Sequence, residues 1–423
     1  MYTHTYVLEN GIRVVVVNPN DQLMTTTAGI FIRQGGRNEN DVNNGISHFI
    51  EHLLANTSSA ITSEKEHVKR ILANGGILNA STTKELTYYF GTCLKEYSND
   101  LVHALYELVC QFNITEEDIE RERKIILDEY RNKLKTTNQI YEHFWSTIYG
   151  NMSYGNWIIG TEENIHHFDS DHITNYYHET YVADNMTVVL ITNEKAEEVI
   201  NMTVDIFSDV KNGMPTPLEV VLAHEVGLTN IQTNSDQLVV CFGDKGPSFS
   251  DHHSVSFELL TAVWGSIPSS RLFQVLREEH NLVYQVQTFS NSYVQTGNYG
   301  VIANVHKNNF QNFIDILYYE FSLLTQESFI PEEISRAVSV LKTFLLTKLN
   351  SPDFLLKLIG SRAVFGHYFF INEMIRELSR VTPEELQHIA KQYIKPDNIS
   401  IISIGNITED DIMNALYKKE EVS

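Results

Sequence analysis

The chain has 423 residues, of which 42% are hydrophobic and 20% charged, a balance typical of a globular protein with two or more domains. Its formal net charge of −23 disfavours nucleic acid and anionic membranes as partners and favours basic peptides, although solubility alone also accounts for it. The sequence contains no apolar run of about 18 residues, so we predict no membrane-spanning helix. The three cysteines are too widely spaced for a disulfide framework. Because we recognise no signal peptide, we expect a cytoplasmic protein.

The first half of the chain predicts β-strands and α-helices in alternation. Short apolar or alternating runs indicate strands, and Gly75-Gly76 indicates a tight turn. The helix that would begin after Thr115 has a capping-box-like start, with Asp118 at its third position. In chain order, the predicted elements are strands at 11–17 and 26–32, a helix at about 44–57, a strand at 78–93, and helices near 97–113 and at 118–133.

The second half repeats this order. The segment 181–185 and its echo at 393–398 each end a helix and enter a closing strand, so the repeat spans half the chain and indicates two duplicated domains. We predict an N-terminal domain at 1–211, a linker at 212–218 and a C-terminal domain at 219–423. Long alternating strands among helices predict an α+β fold, with a mainly antiparallel sheet in each domain and helices packed on one face. The second-half elements are strands at 238–242 and 295–305, and helices at 253–265, at 308–326 and from 331.

The segment His48-Phe49-Ile50-Glu51-His52 has the spacing of a metal-binding helix. Positions i and i+4 lie one turn apart on the same face, so His48 and His52 can bind one ion with Glu51 beside them. The order H-x-x-E-H is the inverse of the commoner zinc-peptidase motif. Two ordinary helix histidines are the alternative, but the corresponding residues 254–260 of the second half contain no paired histidines. Core packing does not predict that asymmetry, whereas a single metal site does.

A third ligand is expected to be a carboxylate from another helix. Glu122 and Glu129 lie seven residues apart, so both occupy one face of the helix at 118–133. Basic residues interleave with them, and this segment alone is more typical of a solvated charged helix than of a metal site. The corresponding stretch of the second half, near 337–345, contains no acidic residue. The asymmetry again favours one metal site in the first half.

The run Gly45–Leu53 resembles the metal helix of the pitrilysin/insulinase family of inverted-motif zinc peptidases, which includes the mitochondrial processing peptidases and their bacterial relatives. The resemblance implies that His48, His52 and Glu129 bind one zinc ion per chain and that Glu51 is the general base. It also implies that Glu122 supports the site as an outer-shell group.

Two further segments carry the same resemblance. Gly75-Gly76 followed by Asn79-Ala80-Ser81-Thr82 is similar to the edge strand to which the family adds an extended substrate by backbone hydrogen bonds, which implies that Asn79, Ala80, Ser81 and Thr82 bind substrate. Arg277 and Tyr284 resemble a pair that enters the active site from the C-terminal type of domain. The resemblance implies that they hold the substrate backbone or the developing oxyanion.

The resemblance implies a zinc-dependent endopeptidase that cleaves peptides or unfolded segments, such as leader sequences, presequences or bacteriocin-type precursors, inside a closed chamber. Family members build a clamshell-like chamber from four such domains, and this chain supplies two, so we expect a dimer. Because one chain carries both the zinc motif and the Arg277/Tyr284 pair, a homodimer is favoured over a heterodimer with an inactive homologue. A catalytically silent partner subunit is the alternative function, which the intact set of His48, Glu51, His52 and Glu129 disfavours.

Overall fold

Two mixed β-sheets with helices packed on them form the framework of the structure, a computed structural model. The class is α+β, as predicted. The structure describes residues 2–19, 22–55, 65–135, 137–150, 153–217, 226–368 and 370–419. Within these ranges, no helix combines the length and the apolar character needed to cross a bilayer.

The first sheet has six strands in the order β1-β2-β6-β3-β5-β4. They are β1 (Tyr2–Val7), β2 (Arg13–Asn18), β3 (Thr25–Ile32), β4 (Ile77–Thr82), β5 (Thr87–Leu94) and β6 (Met186–Ile191). Only β2 and β6 pair in parallel. The single strand predicted at 78–93 is wrong, since β4 and β5 form a hairpin in which the Thr83 N–H donates to the Leu86 carbonyl at 2.8 Å. The polar alternation continues across this turn, so periodicity does not reveal it.

The second sheet has five strands in the order β7-β11-β8-β10-β9. They are β7 (Leu228–Gln232), β8 (Gln237–Gly246), β9 (Val283–Ser292), β10 (Gly297–His306) and β11 (Ser400–Gly405). Here β7 and β11 are the parallel pair. This order repeats β2-β6-β3-β5-β4 of the first sheet, so the predicted duplication is visible in the topology.

The predicted helices are present with small differences at their ends, whereas the helix at Glu66–Ala73 was not predicted. Thr115 and Asp118 form the predicted capping box, because each backbone N–H donates to the other side chain, at 3.0 and 3.2 Å. The predicted helix at 253–265 ends in a π-helical segment, Ala262–Ser266. Residues 56 and 57 of the predicted metal helix lie outside the described residues.

The α-helices are α1 (Ile46–Ala55), α2 (Glu66–Ala73), α3 (Ser98–Val109), α4 (Glu116–Lys133), α5 (Gln139–Tyr149), α6 (Glu162–His167), α7 (Ser170–Thr180), α8 (Ala196–Phe207), α9 (Ser254–Thr261), α10 (Phe310–Gln326), α11 (Pro331–Lys348), α12 (Pro352–Ala363), α13 (Ile371–Leu378), α14 (Pro383–Tyr393) and α15 (Glu409–Lys419).

Helices cover both faces of the first sheet rather than the single face expected. On β3, Ala28 and Ile30 pack into the core with Phe49 of α1. The next side chain, Phe31, points to the opposite face, because strand residues alternate. There it meets α12 so closely that a Cβ at Gly360 would collide with its ring. The central strands β2, β3 and β6 are almost fully buried, so both faces of the sheet are covered there.

The two compact units of the structure exchange one helix each. The first comprises the described residues within Met1–Asn132, Met152–Glu219 and Leu346–Phe369, and the second comprises the remainder. Helix α5 of the first half therefore belongs to the second unit, and α12 of the second half belongs to the first. The predicted blocks 1–211 and 219–423 do not describe this exchange, because a sequence repeat does not show which sheet a helix covers. Residues 212–217 of the predicted linker contain no helix or strand, and residue 218 lies outside the described residues.

Candidate metal centre

A buried carboxylate fixes the beginning of the motif helix α1. Glu39 accepts hydrogen bonds from the backbone N–H groups of Gly45 and Ser47, at 2.7 and 2.9 Å, and from the Asn44 amide at 3.0 Å. Gly45 has a φ of +97°, which favours glycine at this entry to the helix. Burial raises the pKa of Glu39, and these hydrogen bonds oppose that shift. The contacts set the register of α1 just before His48.

Three potential ligand atoms converge in the first unit. The Glu129 Oε2 atom lies 3.8 Å from His48 Nε2 and 3.4 Å from His52 Nε2. These atoms all lie within 4.8 Å of one another, and among the described residues no other His, Cys, Asp and Glu side chains form such a group. Donors around a tetrahedral zinc ion, at about 2.0–2.2 Å from the metal, stand roughly 3.3–3.6 Å apart. The two distances to Glu129 Oε2 are close to this spacing, so the two nitrogens and one oxygen could hold a zinc ion with a fourth position open.

Glu122 occupies the other side of His52. Its Oε2 atom lies 3.6 Å from His52 Nδ1, whereas His52 Nε2 faces Glu129. Glu122 is only 3% exposed and also accepts a hydrogen bond from Arg121 Nε at 3.3 Å. Burial alone lowers the pKa of His52, but the carboxylates of Glu122, Glu129 and Glu51 outweigh it and raise that pKa to about 9. One ring nitrogen can thus face an ion while a carboxylate orients the other.

Glu51 lies beside these groups with one carboxylate oxygen held by a hydroxyl. Thr82 Oγ1 donates to Glu51 Oε2 at 3.2 Å. Burial raises the pKa of Glu51, and the positive charge of His52 and the hydrogen bonds from Thr82 oppose that shift. A carboxylate with a raised pKa is better suited to accept a proton near neutral pH than a fully solvated one.

Strand β4 contains the predicted substrate-binding residues and lies at an edge of the first sheet. It pairs with β5 alone among the described strands. Asn79 is exposed, whereas Ala80, Ser81 and Thr82 are half-buried. Asn79 Oδ1 accepts a hydrogen bond from the Ala80 N–H at 2.8 Å. The four residues therefore lie together on a strand that an extended peptide could join.

Arg277 and Tyr284 contact each other in the second unit. The Arg277 guanidinium carbon lies 5.9 Å from the centroid of the Tyr284 ring and 4.9 Å from that of Phe273. Tyr284 is 75% exposed, so its hydroxyl is accessible. Arg277 belongs to a π-helical segment, Phe273–Glu279, which the sequence pattern did not indicate. A bidentate ion pair between Arg271 and Glu333, at 2.6 and 3.0 Å, anchors the preceding residues.

Glu39 was not predicted as part of the site, and Thr82 was predicted to bind substrate but not to contact Glu51. Glu39 orders the start of α1, and Thr82 contacts Glu51 through its side chain rather than only through its backbone. Neither role has a local signal, because Glu39 precedes its helix by several residues and Thr82 lies in a different element from Glu51.

Two family models match the chain. The model described as Insulinase (Peptidase family M16) matches residues 14–162, and the model described as Peptidase M16 inactive domain matches residues 167–341. The first match contains His48, Glu51, His52, Glu122 and Glu129. The second contains β6 and the strands β7 to β10, and no comparable metal-binding group is found among its described side chains.

Named relatives and solved structures agree with these matches. The uncharacterised zinc protease YmxG of Bacillus subtilis is 27% identical over 394 residues, which covers 93% of this chain and 96% of the relative. The probable mitochondrial-processing peptidase subunit beta of Arabidopsis thaliana is 24% identical, and the alignment covers 96% of this chain and 79% of the relative. A crystal structure of a protease from Helicobacter pylori shares the fold, with a TM-score of 0.86, 20% identity, and coverage of 96% of this chain and 99% of that one.

Proposed function

Because the chain belongs to the insulinase family of peptidases, family M16, we propose that it is a zinc-dependent endopeptidase. The observation that supports this most strongly is the convergence of His48, His52 and Glu129 within 4.8 Å, with the Glu51 carboxylate beside them. A silent subunit would not need to keep all four groups. The relatives named zinc proteases support the choice of metal.

The chemistry requires one bound ion and one base. His48, His52 and Glu129 would hold zinc, which supplies a Lewis acid that polarises the scissile carbonyl and acidifies water. Glu51 takes the proton of the attacking water and returns it to the leaving amine, so it ends each cycle in its starting state. Glu122 would hold the His52 ring by its Nδ1 side and so leave Nε2 to act as a ligand.

Peptide substrates would bind as an added strand on β4. The edge position of Asn79–Thr82 supports this, because an edge strand offers unpaired backbone groups to an extended chain. A folded substrate could not supply such a strand, so leader sequences, presequences and bacteriocin-type precursors are the proposed substrate class. The net charge of −23 favours basic members of that class.

Arg277 and Tyr284 would bind the substrate backbone or the developing oxyanion. Their mutual contact and the exposure of Tyr284 support this assignment. We further propose a dimer, with a second copy of this chain favoured over an inactive homologue because one chain carries all of these groups. Light scattering of the purified chain tests this point: a dimeric mass without any other protein supports a homodimer, and a monomeric mass contradicts it.

Mass spectrometry of a mixed peptide library incubated with the purified protein tests the proposed activity. We expect internal cleavage of extended peptides, its loss with a chelator and its return on addition of zinc. Comparison of basic and acidic peptides then reports the charge preference. Cleavage that persists after complete removal of metal, or no cleavage by the zinc-loaded protein, would refute the zinc endopeptidase.

A further inference from the structure

The contact between Glu51 and Thr82 joins two elements that are distant in sequence. Glu51 lies on α1, and Thr82 is the last residue of β4, which packs against α1. Thr82 Oγ1 lies 3.2 Å from Glu51 Oε2. The Thr82 backbone also hydrogen-bonds to the Glu51 carboxylate, so Thr82 determines how that carboxylate is rotated.

Thr82 and Thr87 each have one hydroxyl hydrogen, and this limit shows which group Thr82 donates to. Thr87 Oγ1 donates its hydrogen to the Gln34 carbonyl at 3.0 Å, since a carbonyl oxygen can only accept. Thr87 can therefore accept from Thr82 but cannot donate to it, although their hydroxyl oxygens lie 3.4 Å apart. The single Thr82 hydrogen goes to the nearer and charged acceptor, Glu51.

The position of Thr82 on β4 gives this contact a functional meaning. Strand β4 also contains Asn79 and Ala80, the backbone of the proposed substrate edge. The strand is held by its antiparallel pairing with β5, in which Thr82 lies opposite Thr87. The same strand would therefore bind the substrate peptide and orient the Glu51 carboxylate, which receives the proton.

We propose that Thr82 is a positioning residue for Glu51: its hydroxyl holds Oε2 and leaves the other carboxylate oxygen to accept the proton from the attacking water. This role rests on the proposed peptidase function and adds to it a residue that acts through Glu51. It also separates Thr82 from its strand neighbours Asn79 and Ala80, whose proposed contacts are to the substrate backbone.

Steady-state kinetics of Thr82→Val and Thr82→Ser with one cleavable peptide test the proposal. Valine keeps the shape of threonine without the donor, so kcat should fall roughly ten- to a hundredfold, the range expected for a hydrogen bond to a charged group. KM and zinc content should stay close to wild type, because the backbone of β4 and the metal ligands are unchanged. Serine restores the donor and should recover most of kcat.

Thr92→Val is the matched control. Thr92 lies on β5, and its hydroxyl pairs with Thr27 at 2.8 Å, away from Glu51. This variant should cleave at the wild-type rate, and thermal unfolding should show that all three variants are folded. If Thr82→Val is misfolded, Thr82→Ala and the serine variant provide the same comparison.

The outcomes separate this proposal from the proposed function. An active wild type with an unchanged kcat in Thr82→Val, or with a change in KM alone, overturns the positioning role and leaves the peptidase intact. A fall in kcat that serine does not recover also overturns it. A zinc-loaded wild type without cleavage refutes the peptidase itself and this role with it.

Discussion

Glu51 is the residue on which the proposed proton transfer depends. In Glu51→Gln the amide keeps the shape of the side chain but cannot accept a proton as a carboxylate does. We expect cleavage to fall by roughly 10²–10⁴-fold, the usual contribution of a general base, while zinc stays bound. Peptide cleavage and zinc content measured on the same preparation check this. Glu66→Gln, which changes an exposed carboxylate on α2, is the control and should cleave at the wild-type rate. Normal turnover in Glu51→Gln would show that Glu51 is not the general base.

Glu122 tests whether an outer carboxylate supports the metal ligands. Its 3.6 Å contact with His52 Nδ1 predicts that Glu122→Gln binds zinc about 10–100-fold more weakly. Titration with a competing chromophoric chelator measures the affinity. Asp128→Asn changes an exposed carboxylate on the same helix and should have no effect. Equal affinities in the two variants would contradict the assignment.

Zinc binding should release a proton from His52 near neutral pH. With a metal-free pKa of about 9, the His52 ring is protonated below that pH, and a zinc ligand must be neutral. The apparent zinc affinity should therefore rise as the pH increases towards about 9 and level off above it. Calorimetry in buffers with different ionisation enthalpies counts the released protons. An affinity that does not vary with pH would contradict the raised pKa.

Helix α12 depends on a glycine to reach the first sheet. A Cβ at Gly360 would collide with the ring of Phe31, so Gly360→Ala should destabilise the protein by about 1–3 kcal/mol, as expected for overpacking. Helix propensity alone would predict the opposite, since alanine is favoured over glycine in a helix by roughly 1 kcal/mol. Urea unfolding measures the change. Ser361→Ala, next to it on a half-buried position, is the control and should be nearly neutral.

The sequence predicts the end of a helix or strand where the residue pattern changes there. It does not predict an end that depends on contacts with other elements. The start of α4 follows from Thr115 and Asp118, whose capping contacts are local. The turn between β4 and β5 and the π-helical segment containing Arg277 interrupt patterns that look continuous in the sequence. Pairing with β5 and packing of the surrounding residues determine these features.

The exchange of α5 and α12 has a consequence for the whole chain. On the second sheet, a Cβ at Gly243 would lie 2.9 Å from the ring of Phe144 in α5, so that sheet depends on a helix from the first half. Fragments 1–217 and 226–423 should each be unstable alone and should regain helical content when mixed. Circular dichroism and size-exclusion chromatography of the fragments, alone and together, measure this. A cooperatively folded fragment 1–217 would contradict the exchange.

The chain by itself determined the local part of the site. The spacing of His48, Glu51 and His52 places them on one turn of helix, and the spacing of Glu122 and Glu129 places them on one face. These relations need only backbone periodicity, so they hold wherever the helices lie. The repeat of elements likewise showed the duplication.

Only the tertiary structure decided what these local groups meet. The approach of Glu129 to both histidines, of Glu122 to His52 and of Thr82 to Glu51 depends on packing between elements far apart in the chain. The same applies to the helix that covers each sheet. Such contacts arise from burial of apolar faces, which is non-directional and can be satisfied by many partners, so periodicity alone cannot identify the partner.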